Sequence, residues 1–309
     1  MPRLSILIPC LGGPAEFDGT LVSVLQHRPP KSEVIVAHTA SYDDPFHLAS
    51  EVDFLHCPHE TTLAGLINEA AEVAASPIVH VLACGLEATD GWTETAVRHF
   101  ADDEVAAVVP AVTTADGSRL VSAGVRLSAA GSRTVQRNEQ VLAGGSAQLR
   151  AAIGAPTLAA GFYRRDVLEV VGGFDRIAGD ALADVDLALK LRTMELRTVL
   201  EPAAQVLQAN DPLARSKTGA FTRGRTAERL FWRNAPDIGW PLALVLHGLA
   251  AMADPLAIPG RLVALMEIGS AQRHARESEV AAERLARMRA SKAQMKPTLV
   301  TATPRRMAA

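Results

Sequence analysis

Residues 78–92 read IVHVLACGLEATDGW. Residues 78–84 form an apolar run broken only by His80, and the run stops at Gly85. A polar turn follows, and an amphipathic segment opens at Gly91 and Trp92. A short continuous apolar run bounded by a turn is the pattern of a strand buried on both faces that hands over to a helix. In open α/β sheets, ligands bind outside the carboxyl ends of the strands, where the strand order reverses. The residues after Leu82 are therefore expected to help form any active site.

The same pattern recurs on either side. LSILIP at residues 4–9, followed by Cys10-Leu11-Gly12-Gly13-Pro14, predicts a central strand and a loop. Residues 17–26 carry apolar side chains at helical spacing until Arg28-Pro29-Pro30. Residues 33–37, EVIVA, predict a second buried strand, with a polar loop over 38–45. Residues 52–57 predict a third. Residues 61–75 predict a helix with Thr62 as N-cap and Leu63, Leu66, Ile67 and Ala70 on one face. Residues 91–100 read as helix, with Asp90 as its N-cap, and 105–112 as another buried strand. Alternating strands and helices predict parallel pairing with helices on both faces.

Residues 113–156 break that rhythm. Asp116-Gly117, Gly124, Gly131 and Gly144-Gly145 punctuate short alternating segments. Residues 124–135 read as a hairpin, and the region as an excursion from the main sheet. Strand-like character returns at 157–162, a helix at 165–171 is stopped by Gly172-Gly173, and 182–192 is amphipathic. Residues 198–200 read as a strand ending at Glu201-Pro202, and 204–208 as a last one. From Asp211 the character changes. Arg215, Lys217, Arg223, Arg225 and Arg229 lead into Leu230-Phe231-Trp232, and helical segments follow to about residue 270. Residues 272–294 predict a charged helix. The expected organisation is an α/β domain over 1–210, a helical extension over 211–295 and a disordered tail over 296–309.

Composition narrows the function classes. With 309 residues, 48% of them hydrophobic, the chain can bury one large core or two smaller ones. A formal charge of -3 gives no reason to expect nucleic acid as a partner. Cys10, Cys57 and Cys84 are scattered, as expected of small buried hydrophobes in a reducing compartment. The opening MPRLSILIPCLGG is too short for a signal peptide, and a cytoplasmic place is expected. Residues 238–258 are strongly apolar, but Pro241, His247, Asp254 and Pro255 interrupt them. They predict a buried or interfacial helix rather than a span.

Four stretches together resemble the family 2 glycosyltransferases, which have a GT-A fold. They are LSILIPCLGG, SEVIVAHTASYDD, IVHVLACGLEATDGW and TLAAGFYRRDVLEVVGGFDRIAGDALADVDLALKLR. The resemblance covers about Leu4 to Gln208. It implies a GT-A-like α/β sandwich with a mostly parallel central sheet, and transfer of a sugar from a nucleotide-sugar donor to a glycan or lipid-linked acceptor. It also implies a divalent cation, Mg²⁺ or Mn²⁺, held by carboxylates and the donor diphosphate, and inversion through one in-line displacement.

Carried over position by position, the resemblance also shows departures. His38 stands where the second-strand loop usually has an aspartate that contacts the nucleotide. Gly85 stands at the aspartate of the metal motif, while Glu87 matches its second acid. Ala183 replaces the first acid of the acceptor-side motif, while Asp184 and Asp186 remain. Gln208 stands where a histidine often completes the metal site. This is a degenerate metal motif.

The candidates follow from that comparison. Asp184 is the general base that would take the acceptor hydroxyl proton, against the plainer role of an acid favouring a helix N-terminus. Asp186 is expected to accept first-turn N–H groups. Glu87 is the surviving metal-side acid, against a solvated turn residue. His38, Ser41, Asp43, Glu87, Arg164, Arg223 and Arg225 are the donor-side candidates. Basic residues after the last strand can neutralise a diphosphate without a metal. The same basic stretch, with Phe231-Trp232 and the apolar helix behind it, also suits peripheral contact at the inner face of a membrane. The His38, His56, His59 and His80 set matches no zinc spacing. Two functions stay open: a transferase, and a non-catalytic family member that binds a nucleotide, glycan or partner enzyme.

Overall fold

The computed structural model describes residues 3–12, 14–40, 42, 44, 46–128, 130–141, 153–216, 218–233, 239–267 and 270–295. Ser41, Asp43, Gly144-Gly145, Lys217 and the 296–309 tail lie outside the described residues.

Continuous apolar runs became the central strands. β1 (Leu4–Cys10), β2 (Ser32–His38), β3 (Asp53–His56) and β4 (Ile78–Leu82) pair in parallel in the order β3-β2-β1-β4. Every residue of β1 and β4 is buried. The sheet continues through β10 (Ala160–Arg164), β6 (Val105–Thr114), β11 (Arg197–Gln208) and β5 (Leu86–Ala88), and β7 (Leu120–Ser122) pairs with β6. The chain runs outward from β1 to β3, then returns to β4 on the other side. The switch point is therefore between β1 and β4.

The sheet is mixed. β6 and β11 are parallel, whereas β10 runs antiparallel between β4 and β6, and β5 and β7 are also antiparallel to their neighbours. The excursion reverses the chain before β10, so strict alternation does not hold there. Within it, β8 (Val125–Leu127) and β9 (Arg133–Val135) form the expected hairpin, apart from the main sheet. The two short strands expected around Pro202 are one strand, β11, whose register shifts between Glu201 and Gln205. A bulge there lets proline sit in the strand without breaking the ladder.

The helices largely follow the periodicity. α1 (Pro14–Gln26) packs beside β1 and β5, and α2 (Leu63–Val73) beside β1 and β2. Thr62 caps α2, accepting the Gly65 N–H at 3.1 Å. α3 (Glu94–Arg98) begins later than expected, after Thr93, so Asp90 is a turn residue and not its cap. α4 (Arg165–Val171) and α5 (Ala183–Thr193) follow. The C-terminal part comprises α6 (Ala220–Arg233), α7 (Trp240–Met252), α8 (Ile258–Leu265) and α9 (Ser270–Met295).

A buried polar centre fastens these last helices. The Glu228 carboxylate of α6 accepts from Trp232 Nε1 at 2.8 Å and from Arg261 Nη1 at 3.2 Å. His247 of α7 bridges the same carboxylate (Nε2, 2.7 Å) and the Ala130 carbonyl at the tip of the β8–β9 hairpin (Nδ1, 2.8 Å). Each buried charge thus has partners, which is the condition for keeping one away from water. Gly260 lets α8 lie directly on α6, because a Cβ there would stand 1.9 Å from the Phe221 carbonyl oxygen.

Candidate functional site

The carboxyl ends of β1, β2, β4, β6 and β11 all face one edge of the sheet. At the switch point the backbone is knitted together: Cys84 donates its N–H to the Pro9 carbonyl at 3.1 Å, and Ala83 to that of Ala159 at 2.8 Å. Gly85 donates to Thr20 Oγ1 at 3.0 Å, and its carbonyl accepts from Ala209 and Asn210, each at 2.9 Å. The loop after β4 is therefore held by α1 on one side and by the end of β11 on the other.

Gly85 has φ +94°, and a Cβ there would stand 2.9 Å from the Asn210 carbonyl oxygen. A side chain at position 85 would therefore meet the backbone that follows β11. Restoring the acid by Gly85→Asp is expected to lower stability by about 2 kcal/mol, from the positive φ and the displaced Asn210. It is not expected to create affinity for Mn²⁺. Thermal unfolding with and without Mn²⁺ checks both parts, and a metal-dependent rise in the variant alone would contradict the reading.

A cavity of about 170 Å³ opens at the switch point. Leu11 and Gly12 line it after β1, Cys84 after β4, and Asn210, Asp211 and Arg215 after β11. Asp211 is oriented by the Leu213 N–H, which donates to its Oδ1 at 3.0 Å. The volume suits a diphosphate better than a whole nucleotide sugar, since sites for drug-sized ligands run to about 300 Å³ or more. Arg215 brings a fixed positive charge to it. Asp211 was not singled out in the sequence, although Asn210-Asp211-Pro212 directly follows the last strand at this edge.

Among the described residues, none of the donor-side candidates lines this cavity. His38 is level with Cys10 in the sheet register, but its buried ring turns into an aromatic cluster. Its Nδ1 donates to the Ala40 carbonyl at 2.7 Å, and the rings of His56, Tyr42 and Phe17 lie 5.4, 6.2 and 6.3 Å away. Burial, with the charges of Asp18 and Asp44, pushes the Tyr42 hydroxyl above its ordinary value. Glu87 is half-buried on β5 opposite Leu207, and does not line the cavity.

Arg164 is corrected outright. It ends β10 opposite Ile78, which puts it at the amino edge of the parallel strands. There its guanidinium donates to the carbonyls of Val105 and Phe100, each at 2.7 Å. Arg225 and Arg229 both pair with Glu267. Arg223 pairs with Asp254 at 2.8 Å. The basic stretch does reach the switch-point cavity, but through Arg215.

On the acceptor side, Asp184 opens α5 at the same edge but is 0% exposed. Arg133 of β9 clamps it, with Nε 3.0 and 3.1 Å from the two oxygens and Nη2 2.7 Å from Oδ2. The Leu158 N–H adds a third donor at 3.2 Å. Burial, and then the Asp184 charge, push the Tyr163 hydroxyl well up. Asp186 does not cap the first turn; it pairs with Lys190 at 2.9 Å and Arg233 at 3.3 Å. Beside the clamp a second cavity, of about 300 Å³, is lined by Arg133, Asp180, Ser216, Thr218 and Arg223. Asp180 caps α2, accepting from the Leu63 and Ala64 N–H groups at 3.1 and 2.9 Å. Neither Arg133 nor Asp180 carried a sequence signal, because their partners are 51 and 117 residues away.

Among the described residues the side chains alone make no metal cage, and a cation here would depend on diphosphate oxygens as well. Among the described residues no group of three or more His, Cys, Asp or Glu stands close enough to hold one. Gly85 and Ala183 offer no side-chain oxygen.

The sequence model described as Glycosyl transferase family 2 matches residues 5–171, more than half of the chain. No curated protein sequence matches. Among solved structures, the mannosyltransferase PcManGT from Pyrobaculum calidifontis, in complex with GDP-Man and Mn²⁺, is similar at 19% identity and TM-score 0.51. That similarity covers 96% of this chain and 81% of the other. GalNAc-T7 with UDP, GalNAc and Mn²⁺ is similar at 14% identity and TM-score 0.56, over 74% of this chain and 48% of its own. TarS 1–349 of S. aureus in complex with UDP is similar at 11% identity and TM-score 0.51, over 79% and 69%. These identities speak to the fold.

Proposed function

Because the chain belongs to glycosyl transferase family 2, we propose that it binds a nucleotide-sugar donor at the β1–β4 switch point and transfers the sugar to a glycan or lipid-linked acceptor. The observation that carries this is the switch-point cavity with Arg215 and Asp211 in its wall. As the glycosidic bond breaks, negative charge grows on the diphosphate. A fixed guanidinium there stabilises the leaving group, the role a cation has in metal-dependent transferases. Asp184 takes the acceptor proton in this reading, and for that Arg133 has to swing off the carboxylate. A lipid-linked acceptor also requires contact with a membrane surface, at the cytoplasmic face by the composition of the chain.

Calorimetric titration with UDP and GDP tests the donor site. One of them is expected to bind in EDTA within about threefold of its affinity in Mn²⁺, since a protein cation supplies the charge. Arg215→Ala is expected to weaken binding about tenfold or more, the worth of a charge-assisted hydrogen bond. Strict dependence on Mn²⁺ would remove the arginine reading, and no binding of either nucleotide would remove the donor site.

A second reading, a family member that binds without turnover, is favoured by the sealed Asp184 carboxylate. Donor turnover over a panel of nucleotide sugars and acceptors discriminates. Turnover lost on Asp184→Asn supports transfer; nucleotide binding without turnover supports the second reading.

A further inference from the structure

We propose that α7, the turn Pro255–Ala257 and α8 form a docking face for a lipid bilayer, lying in its interface without crossing it. Residues 239–267 carry four charged or titratable side chains, and all four pair with charged or titratable partners. His247 and Arg261 meet Glu228, Asp254 meets Arg223, and Glu267 meets Arg225 and Arg229. The inward positions are small or paired: Ala243, His247, Gly260, Arg261 and Ala264 are buried. The outward positions are large and apolar, and they protrude. Met252 is 74% exposed, Leu256 76% and Met266 88%, with Val245, Leu249 and Leu262 beside them.

Three features select a bilayer as the occupant. First, every charge on residues 239–267 is paired, so the outward positions offer no free charge to the polar rim a protein interface carries. Exposed apolar side chains gathered on one short segment mark a site of interaction. Second, the most exposed of these side chains lie on both arms and at the break of a bent helix pair. Acyl chains conform to such a shape, while a folded partner would need a matching hollow. Third, α7 and α8 have 13 and 8 residues, about 20 and 12 Å of helix. Neither reaches the ~20 residues a span needs, and the pair is bent by 102°. Two short apolar helices at that angle fit the headgroup boundary. Half-exposed Trp240 sits at the start of α7, stacked on Trp232 at 5.9 Å, where interfacial aromatics anchor.

The face also adjoins the acceptor side. Asp254 at the bend pairs with Arg223, and Arg223 lines the 300 Å³ cavity that holds Arg133 and Asp180. Presentation of a lipid-linked acceptor to that cavity rests on the transferase reading; the docking face itself does not.

The test uses the full chain and sedimentation with vesicles, of pure phosphatidylcholine and of phosphatidylcholine mixed with phosphatidylglycerol. The chain is expected to bind both. Binding is expected to change less than about threefold between low and high salt, because every charge on residues 239–267 is paired. Trp240 emission should shift to the blue. Val245→Glu combined with Leu262→Glu is expected to reduce binding at least about tenfold. Val22→Glu, at an exposed position on α1, should leave it unchanged. Near-ultraviolet circular dichroism verifies that both variants are folded. A wild-type chain that stays in the supernatant, or a double variant that still binds, overturns the proposal. So does a wild-type dimer in solution that the double substitution dissolves, since a second copy would then be the occupant. No nucleotide enters the measurement, so failure of the donor site and failure of the docking face are separate results.

Discussion

Arg133→Met is expected to destabilise the fold by about 3–5 kcal/mol, because it leaves the Asp184 carboxylate buried without its countercharge. Asp184 is 0% exposed, and the remaining donors, Leu158 N–H at 3.2 Å and Val185 N–H at 2.9 Å, cannot replace a bidentate guanidinium. The reverse substitution, Asp184→Asn, is expected to cost less, about 2 kcal/mol. Arg133 keeps a route to solvent, with 20% of its side chain exposed, and asparagine still accepts the Leu158 N–H. Joining Arg133→Met with Asp184→Leu should recover part of the loss, since an apolar pair replaces an ion pair at modest cost. Urea unfolding of the four proteins measures the cycle. Strict additivity would mean that the two side chains do not depend on each other. The same variants bear on chemistry: Asp184→Asn should retain nucleotide binding at the switch point whichever function holds, and only in a transferase does it remove turnover.

The clamp shows where the sequence stops being informative. The motif placed Asp184 at the right edge of the sheet, because the apolar run before it and the helix after it have strong local patterns. What the carboxylate touches was not legible. Its partner comes from a hairpin 51 residues earlier whose alternation says only that it is a hairpin. The basic stretch behaved in the same way. Its position after the last strand was read correctly, yet which arginine meets the cavity depends on Asp254 and Glu267. Those acids come later in the chain and draw Arg223, Arg225 and Arg229 to themselves. The close approach of Asn210 to Gly85 was not legible either, because Asn210 comes from the segment after β11, 125 residues on. The central strands fared best for the opposite reason: burial on both faces is written into each run by itself. The direction of β10 did not follow from its own residues, since it is set by the path of the excursion before it.

His80 makes a second large effect, and acid brings it out. It lies in the middle of β4 and is completely buried, stacked on Phe162 with ring centroids 3.7 Å apart and edge-on to Trp92 at 4.7 Å. Its Nδ1 donates to the Gly161 carbonyl at 3.0 Å, and no partner reaches Nε2 among the described residues. Burial drives its pKa from 6.5 down to about 3, against a smaller raising effect of the Gly161 carbonyl. The folded chain therefore keeps a neutral ring where the unfolded chain takes up a proton. Stability falls as pH drops below 6.5, by about 1.4 kcal/mol per unit until pH nears 3. Between pH 7 and 4.5 that amounts to roughly 3 kcal/mol from this ring alone. Carboxylates add their own dependence over the same range, so the measurement is a difference. Urea midpoints of the wild type and His80→Leu, followed from pH 7.5 to 4.5, should converge as the solution is acidified. Parallel curves would show that the ring is protonated in the folded state, and that the core at β4 admits a charge. Convergence makes His80 a neutral part of the stack beneath the switch point, separate from His38 and His56 at the strand ends.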